Sequence, residues 1–245
     1  MAVSRHLVTD LSIYGQSYLQ GFSHFYGKPE EFCILALLPS YLEREGSSLV
    51  YMADDLIKKS AHPESGFYLH NYAELKTKLE QLKEKKQKTI LLGVTYALLD
   101  LAEQFPEMRT ISWDGLAIME TGGMKGKRKE MVREELHEIL CRGFGLKTIH
   151  SEYGMTELLS QAYSKGDGIF FCPPWMQIMI RDTNDPFSYL AKGRTGGINV
   201  MDLANINSCS FISTQDLGKK HSDNSFEVLG RFDNSDVRGC NLLVQ

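Results

Sequence analysis

Residues 32–38 read Phe-Cys-Ile-Leu-Ala-Leu-Leu and stop at Pro39. An unbroken apolar run of this length, closed by a proline, predicts a strand buried on both faces. Thr89–Val94 repeats the pattern. Between the two runs, Tyr72, Leu75, Leu79 and Leu82 recur among charges, which is the spacing of an amphipathic helix over residues 71–87. Thr95 then opens a helix that runs through Phe105 and ends at Pro106. Leu116–Met119 reads as a third strand, leading into Thr121-Gly122-Gly123. Residues 130–142 form a second amphipathic pattern, stopped by Gly143, and Leu146–His150 is the next strand. Strand and helix in alternation predict a mostly parallel sheet with helices on its faces.

After Ser164 the texture changes. Residues 166–182, 197–203, 209–213 and 225–229 are short β-type segments between Gly, Asp and Asn turns. The predicted fold class is therefore α/β: a parallel-rich sheet with flanking helices, plus a smaller antiparallel β region. The division falls between residues 1–164 and residues 165–245. The two regions are expected to pack as one unit, with the ligand cleft at the carboxyl ends of the parallel strands.

Charge and cysteine usage narrow the function classes. The net charge of −4 gives no footprint for a nucleic-acid partner. The basic runs at residues 83–88 and 125–129 are short and read as solvated faces. The five cysteines lie far apart, with no Cys-x-x-Cys pair or zinc-ligand spacing. An odd, scattered set fits reduced thiols rather than a disulfide framework. No apolar run approaches the ~18 residues of a membrane span, and Met1–Asp10 lacks the apolar core of a signal peptide. These features predict a cytoplasmic protein.

The chemistry concentrates in His150-Ser151-Glu152-Tyr153-Gly154-Met155-Thr156-Glu157-Leu158. The pattern predicts a strand end, a glycine turn and a helix start. Gly154 lets backbone N–H groups approach an anion closely. The Thr156 hydroxyl can bond a phosphate oxygen, and Glu157 beside it can hold Mg²⁺. Tyr153 offers a flat face to a purine. An ordinary strand–turn–helix junction, with Thr156 as the helix cap, accounts for the same five letters.

The wider sequence favours the chemical reading. Tyr153-Gly154-Met155-Thr156-Glu157 resembles the signature of adenylate-forming enzymes, the superfamily of acyl-CoA synthetases and peptide-synthetase adenylation domains. Gly122-Gly123, Gly193–Val200, Ser213-Thr214-Gln215-Asp216-Leu217-Gly218 and Gly230-Arg231-Phe232-Asp233-Asn234-Ser235-Asp236 resemble further motifs of that superfamily, in its order. Leu38–Arg44, Thr121–Gly126 and Arg238-Gly239-Cys240 look like one branch of it, the acyl-protein synthetases of bacterial fatty-acid reductase complexes.

That resemblance implies roles. Gly122, Gly123, Tyr153 and Gly154 would line the adenine, and Thr156 would bind the adenylate phosphate. Glu157 would hold the metal. Asp216 would accept from the ribose hydroxyls, and Arg231 would reach the ribose or a phosphate. Tyr41 would lie beside the acyl tunnel. Cys240 would take the acyl group, with nearby Arg238 lowering its pKa.

The implied function is an ATP-dependent, AMP-forming ligase. It would activate a fatty or other carboxylic acid with ATP and Mg²⁺ and pass the acyl group to a thiol. Coenzyme A is the alternative acceptor, which would make the chain an acyl- or aryl-CoA ligase. An acyl reductase or acyltransferase is the implied protein partner. The chain departs from the pattern at Gln215, where the family carries glycine, and it shows no Ser/Thr/Gly-rich triphosphate loop. That second departure supports a different class, a non-catalytic nucleotide-binding or scaffold protein.

Overall fold

The computed structural model describes residues 5–39, 46–124, 127–129 and 131–232. Among these residues, eleven strands form one sheet in the order β2-β1-β3-β4-β5-β6-β7-β11-β10-β9-β8. The first half alternates strand and helix: α1 (Leu11–Tyr26), β1 (Cys33–Leu37), α2 (Ser48–Ser60), β2 (Gly66–Tyr68), α3 (Tyr72–Glu84), β3 (Thr89–Val94), α4 (Thr95–Gln104), β4 (Leu116–Thr121), α5 (Arg133–Phe144) and β5 (His150–Tyr153). Strands β2, β1, β3, β4 and β5 are mutually parallel. From β6 (Ala162–Ser164) onward every pairing is antiparallel, through β7 (Ile169–Phe171), β8 (Met176–Arg181), β9 (Thr195–Asp202), β10 (Phe211–Lys220) and β11 (Phe226–Arg231). The α/β class with a parallel-rich half and an antiparallel half is as the sequence predicts. No helix among the described residues is long and apolar enough to cross a membrane.

The runs that read as buried strands are buried along their whole length. All five residues of β1 and all six of β3 are inaccessible to solvent. One core cluster joins these strands to the faces of α1–α5, and a second joins Tyr153, Phe170, Ile178, Val200 and Phe226 in the antiparallel half.

Four local differences from the sequence pattern have physical causes. Helix α1 is absent from the predicted elements, because Gly15, Gly21 and three serines lower its propensity. Its signal is the spacing Tyr14, Tyr18, Phe22, which is its buried face. Helix α5 passes through Gly143, where a Cβ would lie 2.8 Å from Ala102 Cβ on α4, so this glycine serves close helix packing. The helix stops instead at Gly145, whose φ of +65° is the left-handed cap conformation. Closing that cap uses the Leu146 N–H, which donates to Cys141 O at 3.0 Å, so β5 begins later than the apolar run. Finally, no helix follows Tyr153. Residues 154–161 turn back, and β6 pairs antiparallel with β5 (Tyr153 opposite Ala162).

A buried polar network ties the carboxyl ends of β3, β4 and β5 to α5. Glu120, 5% exposed, receives the Arg133 guanidinium on Oε1 and the Thr95 hydroxyl on Oε2 at 3.1 Å. Arg133 also donates to Ser151 Oγ at 3.2 Å, and His137 Nε2 lies 3.3 Å from the same oxygen. Thr95 Oγ1 reaches Thr121 O at 3.4 Å, so it does not cap its own helix. Burial would push the Glu120 carboxyl up. Hydrogen bonding toward His137 and the Arg133 charge more than offset this and hold it at about 2.

Two stability measurements follow from this packing. Gly145→Ala would place a Cβ 2.0 Å from Arg109 O and force a left-handed alanine. Urea unfolding is expected to lose about 2–4 kcal/mol, the range of a strained backbone position with a forced clash. The second variant, Glu120→Gln, leaves Arg133 facing a neutral partner. At pH 7 it is expected to lose about 3 kcal/mol. The Glu120 contribution is present above the unfolded carboxyl pKa and fades as pH falls from about 4.5 toward 2. The gap between wild type and variant should close over that window in a pH series of unfolding curves.

Candidate functional site

The carboxyl ends of β1, β3, β4 and β5 lie along one edge of the sheet, fixed by the pairings Leu37–Gly93, Val94–Thr121 and Glu120–Ser151. Two residues beyond the last of these pairs come Gly122 on one strand and Tyr153 on the other. Gly122 and Gly123 both have positive φ, +73° and +66°, and both are exposed. This left-handed pair carries the chain out of β4 at the sheet edge, where side chains would strain the turn.

Tyr153 reaches across to the antiparallel half. Its hydroxyl donates to Asp216 Oδ2 at 2.8 Å. Asp216 pairs with Arg231 in the β10–β11 register, and Arg231 Nε lies 3.2 Å from Asp216 Oδ1. The Asp216 N–H donates to Thr214 Oγ1 at 3.1 Å. Burial first, and the Asp216 charge second, push the Tyr153 phenol well above its ordinary range. Its ring packs edge-on against Phe170 and Phe226, with centroids 6.0 and 5.6 Å away. The Arg133 guanidinium sits 5.0 Å from the Phe170 centroid, so the Glu120 network also supports this aromatic cluster.

Asp216 is buried, while the Arg231 side chain is 72% exposed. Their ion pair therefore contributes little to stability. Oδ2 accepts the Tyr153 hydroxyl and Oδ1 lies in the Arg231 ion pair, and each oxygen keeps capacity for a further bond.

Gly154 and Thr156 are exposed, and Glu157 is half-buried. A Cβ at Gly154 would fall 2.4 Å from Glu152 Oε1, so the Glu152 carboxylate would have to move to admit a side chain. Thr156 and Glu157 lie in a turn closed by Leu158 N donating to Met155 O at 3.1 Å. Mg²⁺ retains several waters and takes one or two carboxylates plus phosphate oxygens. Glu157, half-buried beside the Thr156 hydroxyl, offers one carboxylate of that kind. Among the described residues, no group of three or more His, Cys, Asp or Glu is placed to hold a metal by protein ligands alone.

Sequence reasoning missed the residue that shapes this turn. Asp202, fully buried at the end of β9, accepts from Leu159 N at 2.9 Å and Ser160 N at 3.0 Å on Oδ2. Ser160 Oγ and Ala204 N donate to its Oδ1 at 2.5 and 3.1 Å. Asn205, beside it, donates from Nδ2 to Glu157 O at 2.8 Å. The only sequence signal was an aspartate ending the alternating run Thr195–Asp202, and its partners lie some forty residues away.

Cys240, Arg238, Asp233, Tyr41, Glu43 and Arg44 lie outside the described residues. His150 packs against Tyr26, with Nδ1 3.1 Å from the phenol oxygen, and burial lowers its pKa to about 4. His6 meets Asn205 and Ser208.

No protein-family model and no curated protein sequence matches this chain. Solved structures do match it. ATP-bound MatB from Rhodopseudomonas palustris aligns at 16% identity over 86% of this chain and 42% of its own, with a TM-score of 0.62. The luciferase-like enzyme of the mealworm Zophobas morio aligns at 14% identity over 90% and 54%, with a TM-score of 0.59. Coronafacic acid ligase from Pectobacterium brasiliense aligns at 18% identity over 82% and 39%, with a TM-score of 0.52. This chain spans less than half the length of MatB. Its architecture is a partial adenylate-forming domain fold.

Proposed function

We propose that the chain is the adenylate-binding part of an ATP-dependent, AMP-forming carboxylic acid ligase of the acyl-protein synthetase type. The observation that carries this reading is the junction of Tyr153, Asp216 and Arg231 beside the Gly122-Gly123 turn. It joins the parallel and antiparallel halves at the sheet edge where open α/β folds bind ligands. The fold shared with ATP-bound MatB supports it.

Each group has a task in this reading. Gly122, Gly123, Tyr153 and Gly154 border the adenine. Asp216 accepts from the ribose hydroxyls, held in place by the Tyr153 hydroxyl and its own N–H bond to Thr214. Arg231, exposed and beside Asp216, is free of tight packing and can swing a bidentate fork to ribose or phosphate. The Thr156 hydroxyl donates to the adenylate phosphate. Glu157 holds Mg²⁺, which when bound offsets the charge on the phosphate as a carboxylate attacks it. A fatty acid is the implied substrate class, and Cys240 or coenzyme A the thiol. The location is cytoplasmic, with an acyl reductase or acyltransferase as protein partner. A coenzyme A ligase is the second reading, supported by the acyl- and aryl-CoA ligase-like enzymes among the structural neighbours. A nucleotide-binding scaffold is the third, supported by the turn after Tyr153, where the Leu158, Leu159 and Ser160 N–H groups are taken by Met155 O and Asp202.

Calorimetry with AMP and ATP tests the nucleotide site. AMP is expected to bind more tightly than ATP, because the Leu158, Leu159 and Ser160 N–H groups are already taken by Met155 O and Asp202 and cannot serve the β- and γ-phosphates. Asp216→Ala should weaken AMP at least ~10-fold, the scale of two lost hydrogen bonds to a charged acceptor. AMP bound equally well by the variant would remove Asp216 from the site.

A second measurement addresses the thiol and bypasses the ATP step. Preformed octanoyl-adenylate supplies the acyl group, the Cys240 thiolate attacks its carbonyl, and AMP leaves. The wild-type chain is expected to gain one hydroxylamine-labile acyl label, and Cys240→Ser none. A label that persists in the variant, or one that appears only on added coenzyme A, would favour the coenzyme A ligase.

A further inference from the structure

Gln161 is 6% exposed, and its side-chain oxygen Oε1 has no hydrogen-bond partner among the described residues. A buried amide oxygen left unpaired is costly, and native proteins keep few of them. Where they persist, a ligand or a water is the usual reason.

The position of Gln161 is specific. A Cβ built on Gly154 would sit 2.4 Å from Glu152 Oε1 and 3.6 Å from Gln161 Cγ. Both side chains therefore flank the same point, at the end of β5. Thr121, the last residue of β4 before the Gly122-Gly123 turn, donates its hydroxyl to Glu152 Oε2 at 2.5 Å. Side chains alternate along β5: Ser151 meets α5, and His150, on the same face as Glu152, lies 3.1 Å from the Tyr26 hydroxyl of α1, so Glu152 faces the side of the sheet that α1 covers. On that side, against the sheet edge, lie a carboxylate, a hydroxyl already committed to it and an orphaned amide oxygen. All are within two residues of Gly122 or seven of Gly154.

The Glu152 carboxylate and the Gln161 oxygen accept hydrogen bonds, and the Thr121 hydroxyl is already committed as a donor. In the adenylate reading this is the edge at which an acid would meet the adenylate phosphate. A plain alkyl chain there would leave the Gln161 oxygen unpaired and would desolvate the Glu152 carboxylate. A hydroxyl or ammonium group would donate to the Gln161 oxygen.

We infer that Thr121, Glu152 and Gln161 form the polar end of the acid subsite. The acid taken there bears a hydroxyl or ammonium group close to its carboxyl. This rests on the adenylate-binding reading and narrows its substrate class away from an unsubstituted fatty acid.

Calorimetry on the full chain tests it with four probes: AMP, and the non-hydrolysable sulfamoyl-adenosine analogues of butanoate, β-hydroxybutanoate and β-aminobutanoate. The hydroxy or amino analogue is expected to bind at least ~10-fold more tightly than the butanoyl analogue, as sites with buried polar groups discriminate against ligands that leave them unpaired. Gln161→Met, close in volume, should shrink that gap to about 3-fold or less without lowering thermal stability, since it removes the orphaned oxygen. A butanoyl analogue bound as tightly as the substituted ones overturns the inference while AMP binding leaves the adenylate reading intact. A preference that survives in Gln161→Met also overturns it and leaves the oxygen to a buried water. Loss of all binding, AMP included, removes the adenylate reading and this inference with it.

Discussion

A carboxylate buried at the end of β4 holds the site edge of this protein together. Glu120 could not remain ionised in an apolar core without compensation. Its compensation comes from three other elements: Thr95 at the β3–α4 junction, and Arg133 and His137 on α5, both of which reach on to Ser151 on β5. The network thereby fixes where three parallel strands end relative to one another. Gly122 and Tyr153 emerge at matched heights because the Glu120–Ser151 pairing is locked below them. The same Arg133 rests on Phe170, which packs on Tyr153, which bonds Asp216. The chain of contacts runs without a break from the parallel core to the first residues of the antiparallel half.

This continuity explains why the two differently textured halves of the sequence share one sheet. Sheet order passes from β5 through β6 and β7 to β11, so the boundary in texture near Ser164 falls between two paired strands. The Tyr153–Asp216 bond spans that boundary, as does the Ser160–Asp202 bond. Polar side chains do the joining where the apolar pattern changes period, and each is satisfied by a partner remote in sequence.

Legibility followed the range of the interactions. The buried runs of β1 and β3 were readable because their signal is continuous and local. The spacing of α3 was readable for the same reason. Helix α1 was not, because its aromatic stripe is diluted by glycines and serines that serve packing and the Ser17–Ser160 contact. The exit from Tyr153 was read as a helix, since hydroxyl and carboxylate after glycine is a cap signal. A residue from β9, Asp202, takes the N–H groups of Leu159 and Ser160 and makes a turn instead. Glycine, tyrosine and aspartate of the candidate site were legible as motif letters. Glu120, Asp202 and Gln161 were not, since their meaning lies wholly in partners that the fold brings, or fails to bring, to them.

The absence of a helix after Tyr153 also changes what can hold a phosphate. A helix N-terminus would present several N–H groups and a dipole to an anion. Here the N–H groups of Leu158, Leu159 and Ser160 are consumed within the fold, by Met155 O and the Asp202 carboxylate. A buried aspartate has taken the place that an anionic ligand would hold at a helix start. In the proposed adenylate site the phosphate would be met by side chains, the Thr156 hydroxyl and the exposed Arg231 fork, and by the charge of a metal at Glu157. The rigid part, the Tyr153–Asp216 bond and the glycine turn, would there serve the nucleoside and not the phosphates.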